Sequence, residues 1–143
     1  MFGQFVMKGE LQEKIIKAIA KQYRKMGFLA ESNEKKELPL FLSGGVDSTL
    51  CGLVAHSLGL KPVCISFQRK GIPSKDFTQA EKTCSEMGWK FHPIVLPEEA
   101  PKDAFFRMIK EYRVDKKTEL EVLYPFTFLF DEVRKLGFSK VVF

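Results

Sequence analysis

The residues with the most chemical potential in this 143-residue chain are Ser43-Gly44-Gly45-Val46-Asp47-Ser48. They follow an apolar run, Leu40-Phe41-Leu42, and precede a segment of helical character. Adjacent glycines can take positive φ and let an anion approach the backbone closely. Their N–H groups, with those of Val46 and the rest of the first helical turn, make a nest for phosphate oxygens. The hydroxyls of Ser43, Ser48 and Thr49 can donate further hydrogen bonds. Asp47 would repel phosphate unless a cation lay between them. It therefore points to Mg²⁺, a hard cation that binds carboxylate and phosphate oxygens together. The lysine-type phosphate loop, GxxxxGK followed by Ser or Thr, is absent, as is the dinucleotide fingerprint GxGxxG. The plainer alternative is a glycine-rich turn with Asp47 favourable at a helix N-terminus.

The neighbouring segments must position this loop. Residues 9–28 read as an amphipathic helix, with Leu11, Ile15, Ile19, Tyr23 and Met26 at three- and four-residue steps. Residues 38–42 read as a buried strand because their apolar run is continuous. After the loop, Leu50, Leu53, Val54 and Leu58 share a helical face, and Gly59 suits its end. Residues 60–67 read as a second buried strand. Ser74 is placed to cap a helix with the face Phe77, Ala80, Cys84 and Met87, stopped by Gly88. Residues 89–96 read as a third strand, put near an edge by Pro93. A helix follows within residues 97–113. The next helix is expected from Pro125, suited to a first turn, to about Leu136, and residues 139–143 as a fourth strand.

Strand and helix alternate, which predicts a Rossmann-like (HUP-type) α/β domain. Its parallel sheet would have about four strands, helices on both faces, and an N-terminal helix. In such sheets ligands bind beyond the carboxyl ends of the strands, where strand order reverses. Ser43–Ser48 follows the first strand and has that location.

Composition sets outer bounds. The net charge of +5 is spread along the chain rather than gathered in a block, so nucleic acid is not the favoured partner. No apolar run is long enough to span a membrane, and residues 1–14 lack the pattern of a secretory signal. The three cysteines, Cys51, Cys64 and Cys84, show no CxxC spacing. They suit a reducing cytoplasm and core packing better than a disulfide scaffold or zinc site.

Ser-Gly-Gly-Val-Asp-Ser resembles the SGGxDS pyrophosphate-loop signature of the ATP pyrophosphatases of the adenine-nucleotide α-hydrolase superfamily. The likeness is greatest to the synthetase domain of asparagine synthetases. It extends over residues 10–19, 66–96 and 124–143. The resemblance implies a single pyrophosphate-loop ATP-binding domain over residues 1–143. It also implies an ATP-dependent ligase that forms AMP and pyrophosphate, adenylating a carboxylate and then making an amide. Carried over by position, Ser43, Gly44, Gly45 and Ser48 contact pyrophosphate, Asp47 holds Mg²⁺, and Asp47 and Ser43 are the expected catalytic residues. Leu42 and Ile65-Ser66-Phe67 would lie along the adenine and ribose.

The substrates implied are ATP and a small carboxylate such as aspartate, with ammonia or another amine, in a protein that could oligomerise. Family members carry a second loop like SGxGxDE after the fourth strand, where this chain stops at Phe143. An incomplete domain or a reduced relative is therefore expected. Position 2 is Phe2, not the cysteine nucleophile of a glutaminase domain, so nitrogen would come from elsewhere. Two alternatives stay open: another pyrophosphate-loop enzyme that modifies a nucleobase or tRNA, and a non-catalytic ATP- or AMP-binding module.

Other residues are given smaller roles. His92 and His56 are read as structural, the latter favoured in its charged form by a helix C-terminus. Phe126, Phe128 and Phe130 are read as packing or subunit contact. Glu119 and Glu121 are the best-placed acids for an acceptor, within a solvated loop before Pro125.

Overall fold

The first two strands of the sheet bury both faces along their centres, which is why their sequences are apolar without alternation, while the third is largely exposed or half-buried. In the computed structural model, which describes residues 9–99 and 101–143, the sheet has three parallel strands. They are β1 (Glu37–Phe41), β2 (Lys61–Arg69) and β3 (Lys90–Leu96), in the order β1-β2-β3. The helices are α1 (Glu10–Lys25), α2 (Val46–Ser57), α3 (Lys75–Met87), α4 (Lys102–Tyr112) and α5 (Lys117–Lys135). The readings of the first eight residues, including Phe2, lie outside the described residues, as does Ala100.

Side chains leave the strands alternately to the two faces. On one face Leu38, Leu40, Leu42 and Cys64 meet Tyr23 of α1, Val54 and Ala55 of α2, and Ala80 and Cys84 of α3. On the other, Ile65 meets Leu129 and Val133 of α5, with Phe41, Ile94 and Phe126 around them. Helices thus cover both faces, as the alternation of elements predicts. Ser74 accepts the Phe77 N–H at 3.2 Å and caps α3. Gly88 takes the left-handed conformation at the helix end (φ 69°).

Two expectations change. The fourth strand is reduced to one parallel bridge, Leu40 to Val142. Phe41 N–H donates to Val142 O (2.8 Å) and Val142 N–H to Pro39 O (2.9 Å), and the ladder goes no further. The last helix starts at Lys117, eight residues before Pro125, which sits inside it. Proline removes one helical hydrogen bond. The preceding Glu, Leu and Val side chains still wind into helix because α5 packs along α4. Arg107 clamps that pair, donating from both terminal nitrogens to Asp131 (2.8 and 3.0 Å).

The Arg107 bond, first, holds the Asp131 carboxyl below its usual range. A carboxyl lowered on folding contributes stability that is present above its unfolded pKa, about 3.9, and is lost as pH falls through the folded value. Both side chains are about a third exposed, so solvent screens the pair to roughly 1 kcal/mol or less. Asp131→Asn should therefore be less stable than the parent at neutral pH. The difference should close in acid, as read from urea unfolding across pH.

Gly52, in the middle of α2, faces the Trp89 ring. A Cβ there would lie 2.6 Å from Cη2 and 2.7 Å from Cζ3, with Leu40 Cδ2 at 3.1 Å. Glycine to alanine inside a helix ordinarily gains about 1 kcal/mol. Here Gly52→Ala should instead lose about 1–3 kcal/mol, the cost of overpacking, measured by equilibrium unfolding. Among the described residues no helix is long and apolar enough to cross a membrane.

Candidate functional site: the loop between β1 and α2

β1 has β2 on one side and the Val142 bridge on the other, so strand order reverses at β1. A crevice at the carboxyl end of β1 is where this architecture binds ligands. Leu42 N–H donates to Ile65 O (2.9 Å), and the chain then leaves the sheet at Ser43. The loop therefore springs from the reversal point, as its sequence position predicts.

Gly44 has φ 83°, a left-handed conformation that favours glycine. It also abuts the start of α3: a Cβ would stand 2.8 Å from Asp76 Cα and closer still to its carbonyl oxygen. Nothing in the sequence pattern announced that contact. Gly45 is the N-cap of α2, with ordinary extended angles and no side-chain cap. Among the described residues the N–H groups of Gly44, Val46, Asp47 and Ser48 have no protein acceptor. They are free for an anion, at the positive end of the helix dipole.

The serines brace the loop. Ser43 N–H donates to Ser48 Oγ (3.1 Å), the two hydroxyls stand 3.0 Å apart, and Gly45 N–H donates to Ser43 Oγ (3.3 Å). Ser48 Oγ and Thr49 Oγ1 donate to Gly45 O at 3.3 and 2.8 Å. The hydroxyls expected to face an anion thus bond within the loop. Val46 and Asp47 are exposed, Asp47 in the first turn of α2. No group of three or more His, Cys, Asp or Glu side chains able to hold a metal occurs among the described residues. A Mg²⁺ ion at this loop would take one carboxylate from the protein and the rest from phosphate and water, which is its usual habit.

The adenine-side residues are less available than their sequence positions suggest. Leu42 and Ile65 are fully buried and Ser66 nearly so, leaving their backbone as the accessible part. Phe67 is half-buried and stacks on Phe41, ring centroids 5.1 Å apart, with Phe126 edge-on to both.

Glu119 and Glu121 lie on α5, not in a loop. They are exposed and paired with Lys116 (3.4 Å) and Lys117 (3.7 Å). His56 accepts the Trp89 indole N–H at Nδ1 (3.1 Å), a structural bond. His92 is half-buried in β3. Cys64 and Cys84 are core residues; Cys51 is half-buried one turn after Asp47, and burial, first, pushes its thiol up, away from a nucleophile's range. Phe126 and Phe130 help line an apolar cavity of about 240 Å³ between α4 and α5, whose lining includes none of the loop residues. Phe128 packs edge-on to Tyr124.

Residues 31–143, well over half of the chain, match the family described as asparagine synthase. The chain belongs to the asparagine synthase family. That places it in the pyrophosphate-loop ATP pyrophosphatase superfamily. Among solved structures it is similar to an NMN synthetase from Francisella tularensis, with a TM-score of 0.56 and 11% identity over 86% of this chain and 50% of that one. At that identity the likeness shows the fold alone. It also matches a predicted tRNA methyltransferase subunit from Methanocaldococcus jannaschii, with 28% identity and a TM-score of 0.38, over 53% of this chain and 38% of that one. The chain thus spans half or less of these neighbours' lengths. No curated protein matches the sequence.

Proposed function

We propose that this asparagine synthase family member is an ATP-binding domain of a ligase that forms AMP and pyrophosphate. The carboxylate of a small acceptor such as aspartate attacks the α-phosphorus of ATP, giving an acyl adenylate and pyrophosphate. Ammonia or another amine then displaces AMP and leaves the amide. One observation carries the reading: four unpartnered backbone N–H groups, with one exposed carboxylate among them, at the strand-order reversal of a family-matched sheet.

The residues divide the work as follows. The N–H groups of Gly44, Val46, Asp47 and Ser48 receive the β- and γ-phosphate oxygens, where charge builds as the Pα–O bond breaks. Fixed donors aimed at developing charge lower the barrier without reorganising during the step. Ser43 and Ser48 hold the loop in the shape that points those donors outward. Asp47 would hold Mg²⁺, whose chemistry here is to neutralise the polyphosphate oxygens. Phe67 offers the adenine an apolar surface near the end of β2.

The test is product identification after incubating the chain with ATP, Mg²⁺ and candidate acceptors. AMP and pyrophosphate that depend on aspartate and ammonia are the expected products. AMP formed only with RNA or a nucleobase would replace amide formation by a modification reaction. Nucleotide binding without turnover would reduce the role to that of a binding module. ADP as the product would overturn the assignment.

A further inference from the structure

Helix α2 carries the loop's free N–H groups, and its body is gripped by side chains from elsewhere. From α1, Tyr23 donates its hydroxyl to the Cys51 carbonyl at 2.7 Å. Burial, first, pushes the Tyr23 phenol well above its ordinary range, so it stays a donor. Trp89, the residue before β3, lays its ring against Gly52 and donates its indole N–H to His56 Nδ1 at 3.1 Å. Tyr23 and Trp89 are 2% and 7% exposed.

Neither grip is needed for α2 to be helical, since its own ladder supplies that. The glycine that admits Trp89 weakens the helix by about 1 kcal/mol relative to alanine. Helix propensity is given up for a close approach. The grips also act at different heights, one turn past Ser48 and at the helix's last turn. A rotation or slide of α2 that would misdirect its first N–H groups must break both.

The geometry assigns to Tyr23 and Trp89 the part of positioning residues for the pyrophosphate loop, setting the axis and rotation of α2 so that its free N–H groups converge before the anion arrives. Donors oriented in advance bind an anion more tightly than donors that must be gathered, because no ordering cost falls at the moment of binding. This inference rests on the reading of Ser43–Ser48 as a pyrophosphate site.

The test uses the full chain, pyrophosphate and Mg²⁺, with calorimetry for affinity and urea unfolding for stability. Tyr23→Phe removes only the hydroxyl. Trp89→Phe keeps an aromatic ring but loses the indole N–H. Both should bind pyrophosphate about three- to tenfold more weakly, the scale of one hydrogen bond's worth of orientation. Trp89 is the chain's one tryptophan, so wild-type emission reports the grip directly and should keep its maximum on adding pyrophosphate, because the grip is set before the anion arrives. A merely structural role would lower the urea midpoint and leave the folded protein's affinity unchanged, and that result would overturn the inference. An emission maximum that shifts on binding would show the grip forming with the anion and overturn the part given to Trp89. A wild-type chain that does not bind pyrophosphate would overturn the loop reading and this inference with it. Wild-type binding with undiminished binding by both variants would overturn this inference alone.

Discussion

Gly44→Ala is expected to cost the fold roughly 2–5 kcal/mol and to remove pyrophosphate binding from the fraction that still folds. Two penalties add. The left-handed conformation at φ 83° costs a non-glycine residue about 1–2 kcal/mol. The new methyl would collide with the backbone of Asp76, which cannot swing aside as a side-chain tip can. Overpacking of that kind typically costs about 1–3 kcal/mol. Relief requires the loop to lift off α3, which moves the free N–H groups of the first turn of α2. Gly45→Ala is the control. Gly45 has φ −82°, and a Cβ there would sit 3.3 Å from Ser43 Oγ, so a loss below about 1 kcal/mol is expected. Urea titration and calorimetry with pyrophosphate distinguish the pair. Equal behaviour of the two variants would contradict the account of Gly44.

Asp47→Asn is expected to leave the fold in place and lower Mg²⁺-dependent pyrophosphate affinity by about a hundredfold or more. Asp47 is exposed, so its structural share is the carboxylate's attraction to the helix N-terminus, about 0.3–1 kcal/mol. Its share in binding is larger. Without a carboxylate the loop has no anionic ligand for a cation, and the several kcal/mol that a bound metal lends to polyphosphate go with it. Without Mg²⁺ the order reverses: asparagine repels pyrophosphate less, so the variant should bind as well as the parent or better. Titrations with and without Mg²⁺ read both halves. Metal-dependent affinity equal to the parent's would remove Asp47 from the site.

Strand-to-loop-to-helix order was legible because three independent signals agree between Leu38 and Gly59: a continuous apolar run, adjacent glycines, and a helical face closed by glycine. The last helix was less legible because Pro125 carries two meanings. It favours a first turn, yet an interior position is tolerated when the helix is held by a neighbour, and the packing of α4 against α5 is not a local signal. Residues 139–143 look like a strand by composition, but a ladder also needs length and a partner in register, and only Val142 meets β1.

In the site, the free N–H groups were foreseeable from the glycines and the helix start. The inward bonding of Ser43, Ser48 and Thr49 was not, because hydroxyl direction is set by loop geometry rather than residue type. The Asp76 contact is non-local and leaves no trace beyond the glycine itself. Gly52 was a missed clue. A lone glycine inside a helical pattern signals close packing, and here it marks where Trp89 rests.

The helix that begins without a side-chain cap has a thermodynamic corollary. A Ser, Thr or Asp cap would satisfy one of those N–H groups permanently; Gly45 leaves them to the proposed ligand, for which only the folded chain provides a place. Stability and ligand supply are then linked by mass action: at a hundred times its dissociation constant, a ligand exclusive to the folded state adds about 2.7 kcal/mol. With a nucleotide as that ligand, as proposed above, the melting temperature would rise with nucleotide concentration.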